Sequence, residues 1–356
     1  MSNQSKDITT HGNVGQVADN HRFDEAALLA YMTQTVDGYS GPGNVRQFAG
    51  GQSNPTFMVE TPDASYVIRK QPPGELLPSA HQVDREYRVM KALADTDVPV
   101  PEMMALCQDK DIIGTDFYVM RFLEGRIFRD PRLPDETPET RAAIYDNMVD
   151  TLTKLHKVDY KAVGLEDFGR AGNYYDRQIG RWTKQYRGAE THEIASMEAL
   201  LEWLPGAIPQ DNTISIAHGD FRLENSIFHP TEPRMIALLD WELCTIGHPF
   251  ADLAYNCMLY HIDSPSLGSL IGLDFDKLGI PTEDAYVARY CELSGRDSIP
   301  NWDFYLAFAI FRIAAISQGV YKRGLDGNAS SDQAKNYRDA CQTLSDVAWQ
   351  IAQRSA

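Results

Sequence analysis

Apolar positions recur along this chain with two different periods, and the change between them divides it. Residues 23–36 (FDEAALLAYMTQTV) carry apolar side chains at helical spacing, behind Asp24 and Glu25, which suit the positive end of a helix. A Gly-rich break at 38–43 follows. Apolar and polar positions then alternate at 45–48, 56–60 and 65–70, the pattern of half-buried strands, joined by a turn at 49–55 and a tight connection at 61–64. Residues 84–95 predict an amphipathic helix, the prolines of Val98-Pro99-Val100-Pro101 an extended link, and 103–107 and 117–122 two more strands. The sum is a five-stranded, mostly antiparallel sheet with one inserted helix. Beyond residue 138 the helical period dominates, at 140–158, 173–188, 192–204, 251–260, 282–293, 303–319 and 332–353. Short strands are expected at 215–217, 227–228 and 235–239. The expected division is a disordered tail over 1–20, an N-terminal lobe over 21–124 and a mainly helical C-terminal lobe over 125–356, an α+β fold.

Composition narrows the function classes. A chain of 356 residues buries a core without disulfides or structural metal. Its formal charge of -17 argues against nucleic acid, which needs clustered positive charge, and against an anionic membrane surface. The five cysteines, Cys107, Cys244, Cys257, Cys291 and Cys341, lack metal-ligand spacing and fit a reduced, cytoplasmic setting. The polar start predicts no secretory signal. The apolar run 304–320 contains Arg312 and reads as a buried helix; Tyr255 and the aromatics at 304–311 read as core. Oligomeric state is not legible.

One stretch carries the chemistry. After an apolar strand stands His218-Gly219-Asp220, with Asn225 five positions beyond the aspartate and Asp240 ending the next strand. Phosphoryl transfer from a metal-bound nucleotide needs a carboxylate to take the acceptor hydroxyl's proton, and an amide with a second carboxylate to hold Mg²⁺ against the phosphates. Asp220 fits the first role, Asn225 and Asp240 the second. Arg222 is placed to neutralise charge on the transferring group, or simply to form a surface ion pair. His218 reads as structural. Gly50-Gly51-Gln52-Ser53-Asn54 lacks the Walker pattern, so a P-loop is excluded, and a glycine pair between strands is by itself only a turn. It precedes a strand with Arg69 and Lys70, only one of which faces a cleft by strand alternation, and a helix with Glu86. A cation on a third strand paired to a carboxylate on the next helix holds nucleotide phosphates in kinases. Arg177, Arg181 and Lys184 share one helical face; it is either a solvated charged face or an anion-reading surface for the acceptor.

With these residues in hand, the chain resembles the aminoglycoside phosphotransferase/choline kinase superfamily from about residue 40 to 320. His218-Gly219-Asp220-x4-Asn225, Asp240-Trp241-Glu242 and Pro249-x-Ala251-Asp252-Leu253-Ala254 carry the resemblance. It is more closely similar to the kinase-like domain of acyl-CoA dehydrogenase family members ten and eleven and its stand-alone bacterial relatives, through Gly50-Gly51-Gln52-Ser53-Asn54-Pro55-Thr56, Tyr66-Val67-Ile68-Arg69-Lys70-x-Pro72-Pro73-Gly74, Asp84-Arg85-Glu86-Tyr87-Arg88 and Arg181-Trp182. The resemblance implies a bilobal protein-kinase-like fold using ATP and Mg²⁺ to phosphorylate a small-molecule hydroxyl. It implies Asp220 as base, Asn225 and Asp240 as metal ligands, Arg69 with Glu86 on the phosphates, and backbone groups of Arg121 and Leu123 on adenine. The Gly50, Gly51, Ser53 and Asn54 turn would cover the nucleotide, and Asp252 would brace the catalytic loop. Asp240 runs almost directly into Gly247-His248-Pro249 without a protein-kinase activation segment, which disfavours a protein substrate. A hydroxyacyl-CoA or hydroxy acid is the leading acceptor. The alternatives are an aminoglycoside- or choline-type kinase and a nucleotide-binding pseudokinase.

Overall fold

The computed structural model describes residues 8–10, 14–49, 54–72, 74, 81–327 and 337–355. By internal contact the chain forms two compact units, Met1–Asp130 with Lys161–Leu165 and Arg222–Cys244, and Pro131–Tyr160 with Glu166–Phe221 and Thr245–Ala356.

The first unit is built on a six-stranded sheet in the order Val14–Gly15, Asn44–Phe48, Thr56–Glu60, Ser65–Lys70, Phe117–Arg121, Met103–Cys107, with antiparallel pairing throughout. Strand alternation sorts its faces. Phe57, Val59, Tyr66, Ile68, Phe117 and Val119 share a core with Leu28 and Met32 of the helix Glu25–Thr35. Arg69 has the parity of Val67, and Lys70 that of Tyr66 and Ile68. The helix Val83–Leu93 buries Val83, Val89, Met90 and Leu93, and in the same stripe it buries Glu86 completely. A carboxylate in an apolar stripe needs partners to be there.

A second sheet of this unit runs Ile8–Thr9, Arg126–Ile127, Ser226–Phe228, Met235–Leu238. It corrects the expectation of a disordered 1–20 for the described part of that stretch. Ile8 and Thr9 pair with Ile127 and Arg126, and Val14 and Gly15 with Phe48 and Gln47. Short polar segments lack a core of their own but satisfy their backbone groups on an existing sheet edge. For the same reason residues 222–244, late in the chain, belong to the sheet-bearing unit.

The second unit is helical around a two-stranded ribbon, Ser215–Ala217 against Thr245–Gly247; the second of these strands is absent from the sequence reading. Its larger helices are Pro138–Lys157, Tyr174–Ala189, Ala195–Gly206, Phe250–Cys257, Glu283–Ser294, Trp302–Leu325 and Ala340–Ala352. Trp302–Leu325 is long and apolar enough to cross a bilayer, yet 67% of its apolar window is buried against its neighbours Tyr174–Ala189, Phe250–Cys257 and Ala340–Ala352. That makes it the central helix of this unit, as the embedded Arg312 suggests.

Candidate active site

In the sheet-bearing unit a network forms around Glu86. Asn54 Nδ2 donates to Glu86 Oε1 at 2.7 Å and Tyr118 Oη donates to Glu86 Oε2 at 3.0 Å. Arg69 Nε stands 2.9 Å from Glu86 Oε2, and Arg69 Nη2 donates to Asp240 Oδ1 at 2.8 Å. Burial works against the charge of Arg69, but Glu86 and Asp240 beside it outweigh that and hold the guanidinium protonated. Burial pushes the Glu86 carboxyl up, with Arg69 opposing and Asp240 adding to the rise. Of the two cations, Arg69 is the one that faces Glu86 and Asp240, while Lys70 points to the other face, its Nζ 5.9 Å from the Phe23 ring centroid. Gly50, Gly51 and Ser53 lie outside the described residues. Asn54 is fully buried as a partner of Glu86.

Asp240 is reached through local backbone geometry. It has φ 62°, ψ 60°, a left-handed conformation that Asp tolerates better than most residues. The turn after it is anchored by Trp241, whose indole donates to Leu238 O at 2.9 Å. Asn225 is brought beside this strand end because Leu239 N donates to Asn225 O at 2.7 Å. An amide and a carboxylate at adjacent backbone positions are hard oxygen donors of the kind Mg²⁺ takes alongside phosphates and water. Nearby, a cavity of about 250 Å³ is lined by Val67, Arg69, Met120, Arg121, Leu123, Ile227 and Leu239. Arg121 N donates to Glu102 O at 2.9 Å, so its amide is committed within the sheet. Arg222 Nη1 lies 2.6 Å from Glu224 Oε2, and Arg129 Nε lies 3.4 Å from Glu224 Oε1; this carboxylate and Arg129 were not singled out from the sequence.

In the helical unit the loop that ends in Asp220 is tied to one helix. Asp252 accepts from His218 N at 2.6 Å and Gly219 N at 2.8 Å, and His156 Nε2 lies 3.4 Å from Asp252 Oδ2. Burial alone would raise the Asp252 carboxyl, but the His156 hydrogen bond and charge, with His218 and the Gly219 N–H, hold it below the ordinary range. The buried His218 accepts from Asp220 N through Nδ1 at 3.2 Å, a structural task. Gly219 sits at φ +86°, where a side chain is strained. Tyr255 Oη donates to Asp220 Oδ1 at 2.6 Å. Its reading as a core residue is therefore incomplete: the ring is buried and the hydroxyl is in the site. The available signal was its spacing, three residues after Asp252 and so on the same helical face. Arg177 donates through Nη1 to Gly172 O and through Nη2 to Arg170 O at 2.6 Å, while Arg181 and Lys184 are exposed on the helix surface.

Comparisons with known proteins bear on these halves together. Residues 44–302 match the family model described as "Phosphotransferase enzyme family". The chain is 48% identical over 329 residues to acyl-CoA dehydrogenase family member 10 of Mus musculus, covering 92% of this chain and 31% of the relative. It is 42% identical over 355 residues to family member 11 of Homo sapiens, covering 98% and 45%. The chain thus spans less than half the length of the curated relatives it matches. Among solved structures, a Ralstonia eutropha protein named after the aminoglycoside phosphotransferases superposes with TM-score 0.87 at 49% identity, over 94% of this chain and 99% of the other. Aminoglycoside phosphotransferase APH(4)-Ia, solved with ADP and hygromycin B, superposes with TM-score 0.60 at 15% identity, over 92% and 98%; that likeness is one of fold, the kinase-like α+β fold.

Proposed function

Because the chain belongs to the phosphotransferase enzyme family, an assignment that carries ATP-dependent transfer to an alcohol acceptor, we propose that it phosphorylates the hydroxyl of a hydroxyacyl-CoA or hydroxy acid. The observation that supports this best is Arg69 held between Glu86 and Asp240. A protonated guanidinium fixed by two carboxylates, beside a cavity with apolar walls, suits the phosphates of a nucleotide whose base enters the cavity. Arg121 and Leu123 border that cavity and would meet the base through backbone groups, the Arg121 carbonyl rather than its amide. The donor set of Asn225 and Asp240 fits Mg²⁺, which when bound neutralises phosphate charge.

Asp220 serves as the base. As the acceptor oxygen attacks the γ-phosphorus, the bond from phosphorus to the ADP oxygen breaks and the hydroxyl proton passes to the Asp220 carboxylate. Asp252 and His218 hold its loop in place. Arg222 and Arg129 flank Glu224 and supply positive charge on the phosphate side. Arg181 and Lys184, exposed on their helix, are the candidates for anionic groups of the acceptor.

A coupled ADP-release screen with Mg²⁺ and ATP tests the reading, comparing hydroxyacyl-CoAs, hydroxy acids, choline, amino sugars and aminoglycosides. The expected result is turnover with the hydroxyacyl compounds, lowered roughly 10²–10⁴-fold by Asp220→Asn with ATP binding retained. ATP binding with no turnover on any acceptor would replace the kinase by a nucleotide-binding regulatory module.

A further inference from the structure

We propose that Arg312 and Trp182 form a subsite for an anionic group of the acceptor, beside the loop that carries Asp220; this deepens, and rests on, the reading of Asp220 as the base. Arg312 stands in the middle of Trp302–Leu325, between Phe311 and Ile313, both buried. Its Nη2 donates to Gly219 O at 2.7 Å, one residue before Asp220. Its Cζ lies 5.5 Å from the centroid of the Trp182 ring and 5.4 Å from that of Tyr255, both within cation–π range. Among the described residues the partners of this guanidinium are thus a carbonyl and two rings, none with a formal negative charge. A cation taken partly out of water into an apolar helix loses hydration that neutral partners return only in part. The cluster also has donors to spare. Arg312 Nε and Trp182 Nε1 are buried and have no hydrogen-bond partner among the described residues, while Arg312 as a whole is half-buried and so open to a ligand on one side. Spare N–H donors beside a positive charge call for an anionic oxygen.

The surrounding charge has the same sign. Burial is the main cause that pushes the Tyr174 hydroxyl up to about 12; Arg312, Arg181 and Arg177 oppose it, and Asp252 adds to the rise. Three guanidinium groups therefore act on one hydroxyl, and the carboxylate among them is already engaged by the His218 and Gly219 amides. Arg181 Cζ lies 5.3 Å from the Trp182 ring centroid, so the Arg181-Trp182 pair of the sequence belongs to the same cluster. In a chain of formal charge -17, positive charge gathered at one place attracts an anion. A carboxylate of a hydroxy acid and a phosphate of a hydroxyacyl-CoA share the chemistry that a guanidinium fork takes.

The test measures equilibrium binding to the full chain, by calorimetry, of hydroxybutyrate, its CoA thioester and its pantetheine thioester, the last with neither carboxylate nor phosphate. At least one of the two anionic compounds is expected to bind roughly 10–100-fold more tightly than the pantetheine thioester. Arg312→Gln should abolish that ratio and leave ATP affinity unchanged, and the compound whose ratio is lost names the anion. Should Arg312→Gln fail to fold, Arg312→Lys, which keeps the charge without the fork, should lower the same ratio. A ratio unchanged in the variant, or a wild type with no preference for the anionic compounds, would overturn the subsite. Equal loss for all three compounds would overturn it too, leaving Arg312 a brace for Gly219 O. The kinase reading fails separately: no ADP release from any acceptor, with the binding ratio intact, would overturn that reading alone, and full activity in Asp220→Asn would overturn the base.

Discussion

Arg69 and Asp240 are 171 positions apart in the chain and 2.8 Å apart in the structure, Nη2 to Oδ1, with Glu86 closing the cluster at 2.9 Å from Arg69 Nε. One guanidinium therefore neutralises the helix carboxylate and engages the proposed metal ligand at the same time.

Replacing Arg69 leaves Glu86 buried without its cation. Arg69→Ala is expected to destabilise the fold by about 3–5 kcal/mol, the cost of breaking a buried pair from one side. Arg69→Lys keeps the charge, but a point charge cannot fork between two carboxylates, so it should regain most of the stability and little of the activity. Urea unfolding and ADP release on the same preparations separate the two effects.

Asp240→Asn should behave in the opposite way. Asp240 is partly exposed and the Arg69–Glu86 contact survives its loss, so unfolding free energy should move by no more than about 1 kcal/mol. The dependence of ATP binding on Mg²⁺ should disappear and turnover should fall roughly 10³-fold, about 4 kcal/mol of transition-state stabilisation. Calorimetric ATP titrations with and without Mg²⁺ provide the check; an intact Mg²⁺ dependence would remove Asp240 from the metal site.

In Asp252→Asn one of the two amides, of His218 or Gly219, faces an NH₂ group instead of an oxygen. The expected cost is about 1–3 kcal/mol, together with lowered kcat, because the loop that carries Asp220 loses its anchor. The pH signature follows from the depressed carboxyl of the wild type. Its stabilisation is complete above the unfolded value near ~3.9 and is lost as pH falls through the lower folded value. Acid unfolding curves of the variant should lack that component.

His248 gives a second pH dependence in a milder range. Burial among aromatic side chains is the main cause that lowers its pKa to about 4, with Asp211 opposing. The neutral ring is the folded form, so its contribution is fully present above about pH 6.5 and is lost as pH falls from there toward 4. Between pH 7 and pH 5 the chain should lose about 2 kcal/mol from this group. His248→Gln should flatten the slope in urea titrations at the two pH values, whatever its effect on absolute stability.

Much of this was legible in the residues. Strand and helix periods gave the five central strands, because burial on one side of a sheet or helix forces the pattern into the sequence itself. The spacing of Asp220, Asn225 and Asp240 pointed to the proposed chemistry, because a loop and a strand end can be read locally. The pairing of Arg69 with Glu86 was readable too, from a strand followed by a helix.

What remained hidden depends on contacts between segments remote in sequence. The pairing of Ile8 and Thr9 with the strand at 126–127, the strand Thr245–Gly247 and the membership of 222–244 in the sheet-bearing unit all arise from edges that borrow hydrogen bonds. Strand alternation by itself left Arg69 and Lys70 open, and only the helix Glu25–Thr35 packed on one face of the sheet shows which side each takes. Tyr255 looked like core because its ring is core; only the folded helix brings its hydroxyl to Asp220. The sequence by itself singled out the groups proposed for the chemistry, since phosphoryl transfer calls for those side chains at those spacings. Tertiary structure decided which groups hold them still, since any buried residue that reaches can do so.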